Sequence, residues 1–358
     1  MSSRKSDGDP VRHGIIGCGR VASNHLRAVQ EAGGKVTWCC DLKLDRAGEF
    51  ARAAGGAHVT SRAEEVFADP ALESVSICTD HGTHAPLTMA ALRHNKHVLV
   101  EKPMAIRLEA AQRMLEEADR SRRLLGVCFQ HRFDPLWIAA RDVIRKGVLG
   151  RITSVTLMVQ CAKDVDYYRG WRGTRRQEGG SALINQGIHS LDLAIWTLGE
   201  PEVLSAASAT LKFETLIETE DTFSGSLRFP GGALGVLLCT NTSAVEWDSR
   251  VEFIGMEGRL ALGAHFPDLL LACDLPESAQ EDSRRLWAIS EAPTPLPSGI
   301  SYYGISHDAL LGNFLHAVRG KEPLFIDAAE GIRTQRVVET LYRTAKESRD
   351  RPNSRMSR

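Results

Sequence analysis

The feature that most constrains this chain lies near its start. Val11 to Gly17 is a short apolar run opening on glycines, and Gly17-Cys18-Gly19-Arg20-Val21-Ala22 follows as G-x-G-x-x-A before a helical pattern over Val21 to Ala32. Strand, glycine turn and helix in that order make the phosphate-binding start of a βαβ unit. Gly17 permits the tight turn, Gly19 lets backbone N–H groups approach a pyrophosphate, and Ala22 lets helix and strand pack closely. Cys18, Arg20 and Val21 belong to the same turn and are expected to contact the coenzyme with it. The helix start adds partial positive charge for the phosphates. Asp41 closes a second strand pattern, 24 residues beyond Gly17. A carboxylate there accepts from the adenosine ribose hydroxyls and repels a 2′-phosphate, so NAD is expected and NADP is disfavoured. Lys43 and Arg46 temper that preference.

Strand and helix patterns alternate up to residue 130, which predicts a doubly wound parallel sheet, a Rossmann-type domain over residues 11–130. The pattern then changes. Arg151 to Cys161, Thr222 to Phe229, Ala233 to Cys239, Arg250 to Ile254 and Arg259 to Leu262 read as short strands, broken by turns such as Pro230-Gly231-Gly232. Helical patterns cover Ala182 to Leu198, Ala309 to Arg319 and Ala328 to Ser348. The fold class expected is therefore α/β followed by α+β, the second part an open, mainly antiparallel sheet. Residues 131–348 make up this second domain, with flexible ends at 1–10 and 349–358. Pro267 to Pro297, rich in Pro, Ser and Glu, reads as an irregular excursion.

Composition narrows the function. Lys and Arg number 44 and Asp and Glu 45, so no overall basic field draws in nucleic acid. No apolar run is long enough to span a membrane and the N-terminus has no apolar leader, so a cytoplasmic protein is expected. Eight cysteines without a C-x-x-C pair read as reduced buried thiols. His81 with His84 and His94 with His97 lack further ligands at a standard spacing, so no metal is expected. No G-x-S-x-G elbow supports serine hydrolysis.

Three groups of residues carry candidate chemistry. Glu101-Lys102-Pro103 follows an apolar strand, and ligands of open α/β sheets sit at such strand ends. A lysine there can donate to a substrate hydroxyl and stabilise oxyanion character as hydride leaves. Asn185 and His189 stand four residues apart, on one face of a helix. A neutral imidazole, with a reference pKa of about 6.5, suits reversible proton transfer near neutrality. Tyr167, Tyr168, Trp171 and Arg172 form an aromatic–basic cluster suited to stacking on a ring and gripping an anion.

Taken in order, GIIGCG, CTDHGTHAPL (78–87), VEKPMA (100–105), GGSALINQGIHSLDLAIWTLGEP (179–201), FSGSLRFPGGALG (223–235) and VEFIGMEGRLAL (251–262) resemble the Gfo/Idh/MocA oxidoreductases. The resemblance implies hydride transfer between a nicotinamide coenzyme and a sugar, inositol or nucleotide-linked sugar acid, in a homodimer or homotetramer, with residues 131–348 as the substrate-binding and oligomerisation domain. It implies that Lys102 polarises the reacting hydroxyl and that His189 is the general acid–base. Asn185, where inositol-dehydrogenase-like members carry Asp, orients the substrate. Glu101, Thr79 and His84 would lie by the ribose and nicotinamide, and Arg132, Tyr168, Trp171 and Arg172 by the substrate. Asp80 departs from the proline that often follows the threonine in such members. Two other readings compete: a glycosidase that oxidises its sugar transiently, and a non-catalytic protein that senses the dinucleotide.

Overall fold

A computed structural model describes residues 9–263, 269–293 and 306–350. The chain divides into two compact units. The first takes residues 1–105, 109–130 and 296–331, the second 106–108, 131–295 and 332–358.

The first unit alternates as its sequence predicts: β1 (Arg12–Ile16), α1 (Ala22–Glu31), β2 (Lys35–Cys40), α2 (Leu44–Ala53), β3 (His58–Thr60), α3 (Ala63–Ala68), β4 (Ser74–Ile77), α4 (His81–Arg93), β5 (His97–Glu101), α5 (Leu108–Ser121) and β6 (Leu125–Cys128). Its six strands are parallel and ordered β3-β2-β1-β4-β5-β6. That is the doubly wound order, whose crossovers put the strand ends beside β1 and β4 at a switch point. β4 and β6 are buried at every residue, as strands covered on both faces must be.

The second unit opens with α6 (Pro135–Arg145) and β7 (Ile152–Ala162). A π-helical turn, Ala182–Gly187, leads into α7 (Ile188–Leu198). Then follow β8 (Glu202–Ala209), β9 (Thr222–Arg228), β10 (Leu234–Thr240), β11 (Thr242–Gly255), β12 (Arg259–Gly263) and β13 (Leu270–Asp274). The seven strands lie in the order β13-β12-β11-β7-β10-β9-β8. All neighbours are antiparallel except β7 and β10. One face is core, with Val155, Leu157, Val159, Leu237 and Cys239 buried, while Leu234, Val236 and Leu238 alternate outward.

Two expectations change. The Pro267–Pro297 stretch is not wholly irregular: β13 pairs with β12, and α8 (Gln280–Glu291) follows it. Propensity there is overridden by packing, because Leu270 and Leu286 are buried. Residues 306–331, expected with the second sheet, belong to the first unit, where α9 (His307–Val318) packs on α1. Arg27 on α1 pairs with Asp308 on α9 at 2.7 Å, and Val127 of β6 donates its N–H to Ile326 at 3.1 Å, which covers the sheet edge. The last helix, α10, spans Ala328–Asp350. Most of the predicted flexible ends, residues 1–8 and 351–358, lies outside the described residues.

Candidate active site

In the first unit the candidate residues gather at the carboxyl ends of β1, β2, β4 and β5. Gly17 has φ of +87°, and a Cβ there would stand 2.7 Å from the Cys78 carbonyl oxygen, so only glycine fits. Gly19 has nothing within 4 Å of where a Cβ would be, which leaves space above the turn. Asp41 ties β2 to this turn: its Oδ2 accepts the Cys18 N–H at 3.0 Å and its Oδ1 the Lys43 N–H at 2.8 Å. Arg46 stands 3.6 Å from the same carboxylate. An open turn, a helix start behind it and a fixed carboxylate suit the diphosphate and ribose of NAD. Arg20 and Val21 complete the turn ahead of α1.

Thr79 and Asp80 link β4 to α4. The Thr83 hydroxyl donates to the Asp80 carbonyl oxygen (2.9 Å) and meets the Thr79 hydroxyl (2.7 Å), so the loop closes without proline. His84 is fully buried and bridges the Pro103 carbonyl at 2.8 Å and the Thr79 carbonyl at 3.2 Å. Burial lowers its pKa, outweighing these bonds, and a neutral ring donates to one carbonyl only. His84 thus lies between the Thr79 loop and the Glu-Lys-Pro turn. From Val98 to Ala105 only Lys102 escapes burial. Glu101 beside it is 7% exposed and accepts from His25 Nε2 at 2.9 Å. Burial pushes the Glu101 carboxyl up, but the bond to His25 and the nearby His307 ring outweigh it and hold the group well below the usual carboxylate range.

In the second unit the π-turn and α7 carry the other candidates. From Ser181 to Thr197 only Asn185 and His189 escape burial. Gly187 lets this helix lie on β10, since a Cβ there would press into the Cys239 thiol. π-turns recur at functional sites because they re-aim a side chain. The Asn185 amide nitrogen donates to Glu178 Oε1 at 2.7 Å and to the Tyr167 hydroxyl at 3.0 Å, and Gln186 Nε2 donates to the same hydroxyl at 2.9 Å. Burial lifts the Glu178 carboxyl to about 7, against bonds from the Gly173 N–H and Asn185. The Arg172 guanidinium lies 4.8 Å from the ring centres of both Tyr167 and Trp171. His189 meets the edge of His131, ring centres 5.0 Å apart, and His131 Nδ1 is 2.7 Å from Asp134.

Two expected substrate contacts are spent on structure. Arg132 is 1% exposed and forms a two-pronged pair with Asp192 at 2.7 and 2.8 Å, while Thr334 donates to Asp192 at 2.7 Å. A guanidinium so buried serves packing, and leaving either charge alone would be costly. Tyr168 is 5% exposed, packs on Phe213 and Ile217, and its hydroxyl meets Ser181 and Asn241. Its neighbour Tyr167 occupies the place by Asn185. His25 and His307 were not singled out from sequence, because each meets Glu101 from far along the chain, and Glu178, seven residues before Asn185, carried no motif of its own.

The fold and these residues define an NAD-binding Rossmann-type oxidoreductase. The family model for the NAD-binding Rossmann domain of the oxidoreductase family matches residues 11–129, and that for the GFO/IDH/MocA C-terminal domain matches 137–261. The chain belongs to the GFO/IDH/MocA family. Inositol 2-dehydrogenase 2 of Saccharopolyspora erythraea is 30% identical over 255 residues, 70% of this chain and 72% of that one. Myo-inositol 2-dehydrogenase of Thermotoga maritima is 25% identical over 90% of this chain and 92% of its own. The WlbA dehydrogenase of Bordetella pertussis, solved with NADH and UDP-GlcNAcA, superposes with a TM-score of 0.85 at 25% identity, covering 96% of this chain and 98% of that one. Among the described residues no helix is long and apolar enough to cross a membrane.

Proposed function

We propose that this oxidoreductase acts on a ring hydroxyl of a sugar, inositol or nucleotide-linked sugar acid, with NAD as its coenzyme. The observation that carries the reading is one of accessibility. Lys102 on one motif, and Asn185 and His189 on another, are the residues that stay partly accessible within otherwise buried runs. The coenzyme, when bound, supplies hydride acceptance from the substrate carbon or its return. Gly17, Cys18, Gly19, Arg20 and Val21 would hold its phosphates, Asp41 its ribose, and Thr79 the loop beside them. Asp41 favours NAD over NADP by repelling a 2′-phosphate.

Lys102 donates to the reacting hydroxyl and favours alkoxide character at its oxygen. His189 accepts the hydroxyl proton and returns it in the reverse direction, an effect typically of about 10²- to 10⁴-fold. Asn185 orients the ring, with its amide held by Glu178 and Tyr167. Trp171 and Tyr167 offer aromatic faces, and Arg172 offers a cation to an acidic group. The buried thiols fit a reducing cytoplasmic setting. The outward row Leu234, Val236 and Leu238, 42–55% exposed, supports a homodimer or homotetramer formed on that sheet face.

A panel of sugars, inositols and UDP-sugar acids incubated with NAD tests the reading. Net NADH from at least one class is the expected result. Glycoside release without net NADH would instead identify the transient-oxidation glycosidase, and coenzyme binding with neither outcome a sensor.

A further inference from the structure

We infer that a buried hydrogen-bonded chain, Ser74–His13–Ser76–His25, keeps Glu101 ionised and fixed and thereby positions Lys102. The inference rests on the role proposed above for Lys102. Ser74 Oγ lies 2.8 Å from His13 Nδ1, and His13 Nε2 lies 2.9 Å from Ser76 Oγ. Ser76 Oγ lies 2.9 Å from His25 Nδ1, and His25 Nε2 lies 2.9 Å from Glu101 Oε1. All of Ser74, His13, Ser76 and His25 are 0% exposed. The chain therefore threads β4, β1, β4 again and α1 before it reaches the end of β5.

An ionised carboxylate only accepts, so His25 presents Nε2–H to Glu101. Ser76 Oγ stands between His25 Nδ1 and His13 Nε2, and Ser74 Oγ closes the chain at His13 Nδ1, so each ring nitrogen of both histidines has a partner. Bonds linked in series polarise one another. Burial, then His25, lowers His13 to about 3, which keeps this link neutral. On the other side, Glu101 Oε2 accepts the Lys102 backbone N–H at 3.2 Å.

Other titratable groups surround the carboxylate: His307 on α9, 3.7 Å from Oε1, the Cys78 and Cys128 thiols, His84 and the Lys102 amine. His25, Glu101, Cys128 and His307 place their donor atoms within 4.8 Å of one another. Within that group His25 Nε2 and Glu101 Oε1 stand 2.9 Å apart, at hydrogen-bond distance. Burial, reinforced by Glu101, also holds the Cys128 thiol protonated.

Ser76→Ala removes the hydroxyl shared by both imidazoles and keeps both rings, Glu101 and Lys102. The Glu101 carboxyl is titrated by infrared difference spectroscopy against Glu101→Gln, on protein without coenzyme, and the pH profile of kcat/KM is measured beside it. Ser76 acts on the carboxylate through His25, so losing its hydroxyl weakens the His25 bond that lowers the Glu101 pKa, which then rises. The expected result is a carboxyl that titrates about one pH unit higher, an acid limb displaced upward equally, and neutral turnover down about three- to tenfold. Ser76→Thr restores both readouts. His13→Gln interrupts the chain one link further out, is expected to shift the carboxyl less in the same direction, and serves if Ser76→Ala does not fold. An unmoved carboxyl in a folded variant overturns the inference whatever Lys102 does. A carboxyl that moves while Lys102→Ala keeps parent turnover leaves the chain standing and overturns the lysine assignment. Activity lost to a chelator and restored by zinc also overturns the chain in favour of a metal.

Discussion

The coenzyme turn and the Asn185–His189 helix are built by different means. At the turn the backbone does the shaping: Gly17 at φ +87°, the N–H of Cys18 bonded to Asp41, and an open space at Gly19. At the helix, side chains do it: Glu178 and Tyr167 grip Asn185, and Asp134 fixes the His131 that abuts His189. A backbone site depends on short spacings and tolerates most neighbours. A side-chain site depends on partners brought from elsewhere, so a single substitution can retune it without unfolding the chain.

The sharpest way to break that contrast is His189→Ala. A fall in kcat of about 10²- to 10⁴-fold is expected, with the Kd for NAD within about twofold of the parent. Steady-state kinetics and calorimetric titration check this, and an equal loss in both quantities would mean that the helix does not work separately from the turn. Gly17→Ala tests the other side. Left-handed backbone for a non-glycine residue costs about 1–2 kcal/mol, and the added Cβ would meet the Cys78 carbonyl at 2.7 Å. The Kd for NAD should rise at least about tenfold, a change that calorimetry reads directly.

Tyr167→Phe and Tyr168→Phe sharpen the comparison within the helix site. The first should raise KM several-fold with little change in melting temperature. The second should lower the melting temperature by a few degrees and leave KM alone, because its hydroxyl serves Ser181 and Asn241. Glu178→Gln gives the smallest effect. The folded-state pKa of about 7 lies above the ordinary 4.5, so the stability tied to the protonated form is complete below the lower value and lost as pH rises through the higher one. Unfolding midpoints of the parent should fall between about pH 5 and pH 8, and the Gln variant should flatten that slope.

The same contrast explains what could be read from the chain. Gly17, Gly19 and Asp41 were legible because a strand, a turn and a helix fix them locally. Lys102 was legible because its turn follows a strand end. Tyr167 and Tyr168 are adjacent and chemically alike, and which one turns inward is decided by Phe213 and Ile217, more than 40 residues away. Arg132 looked open to substrate because its partner Asp192 lies 60 positions further on. His307 reaches Glu101 only because α9 returns to pack on α1. β13 and α8 were hidden inside a polar stretch whose few apolar residues, Leu270 and Leu286, carry the packing.

The most direct test of the central claim is turnover of Lys102→Ala beside the parent on whichever carbohydrate yields NADH. A loss of at least about a hundredfold in kcat, with the Kd for NAD within a few-fold, is the predicted result. Turnover within a few-fold of the parent would contradict it.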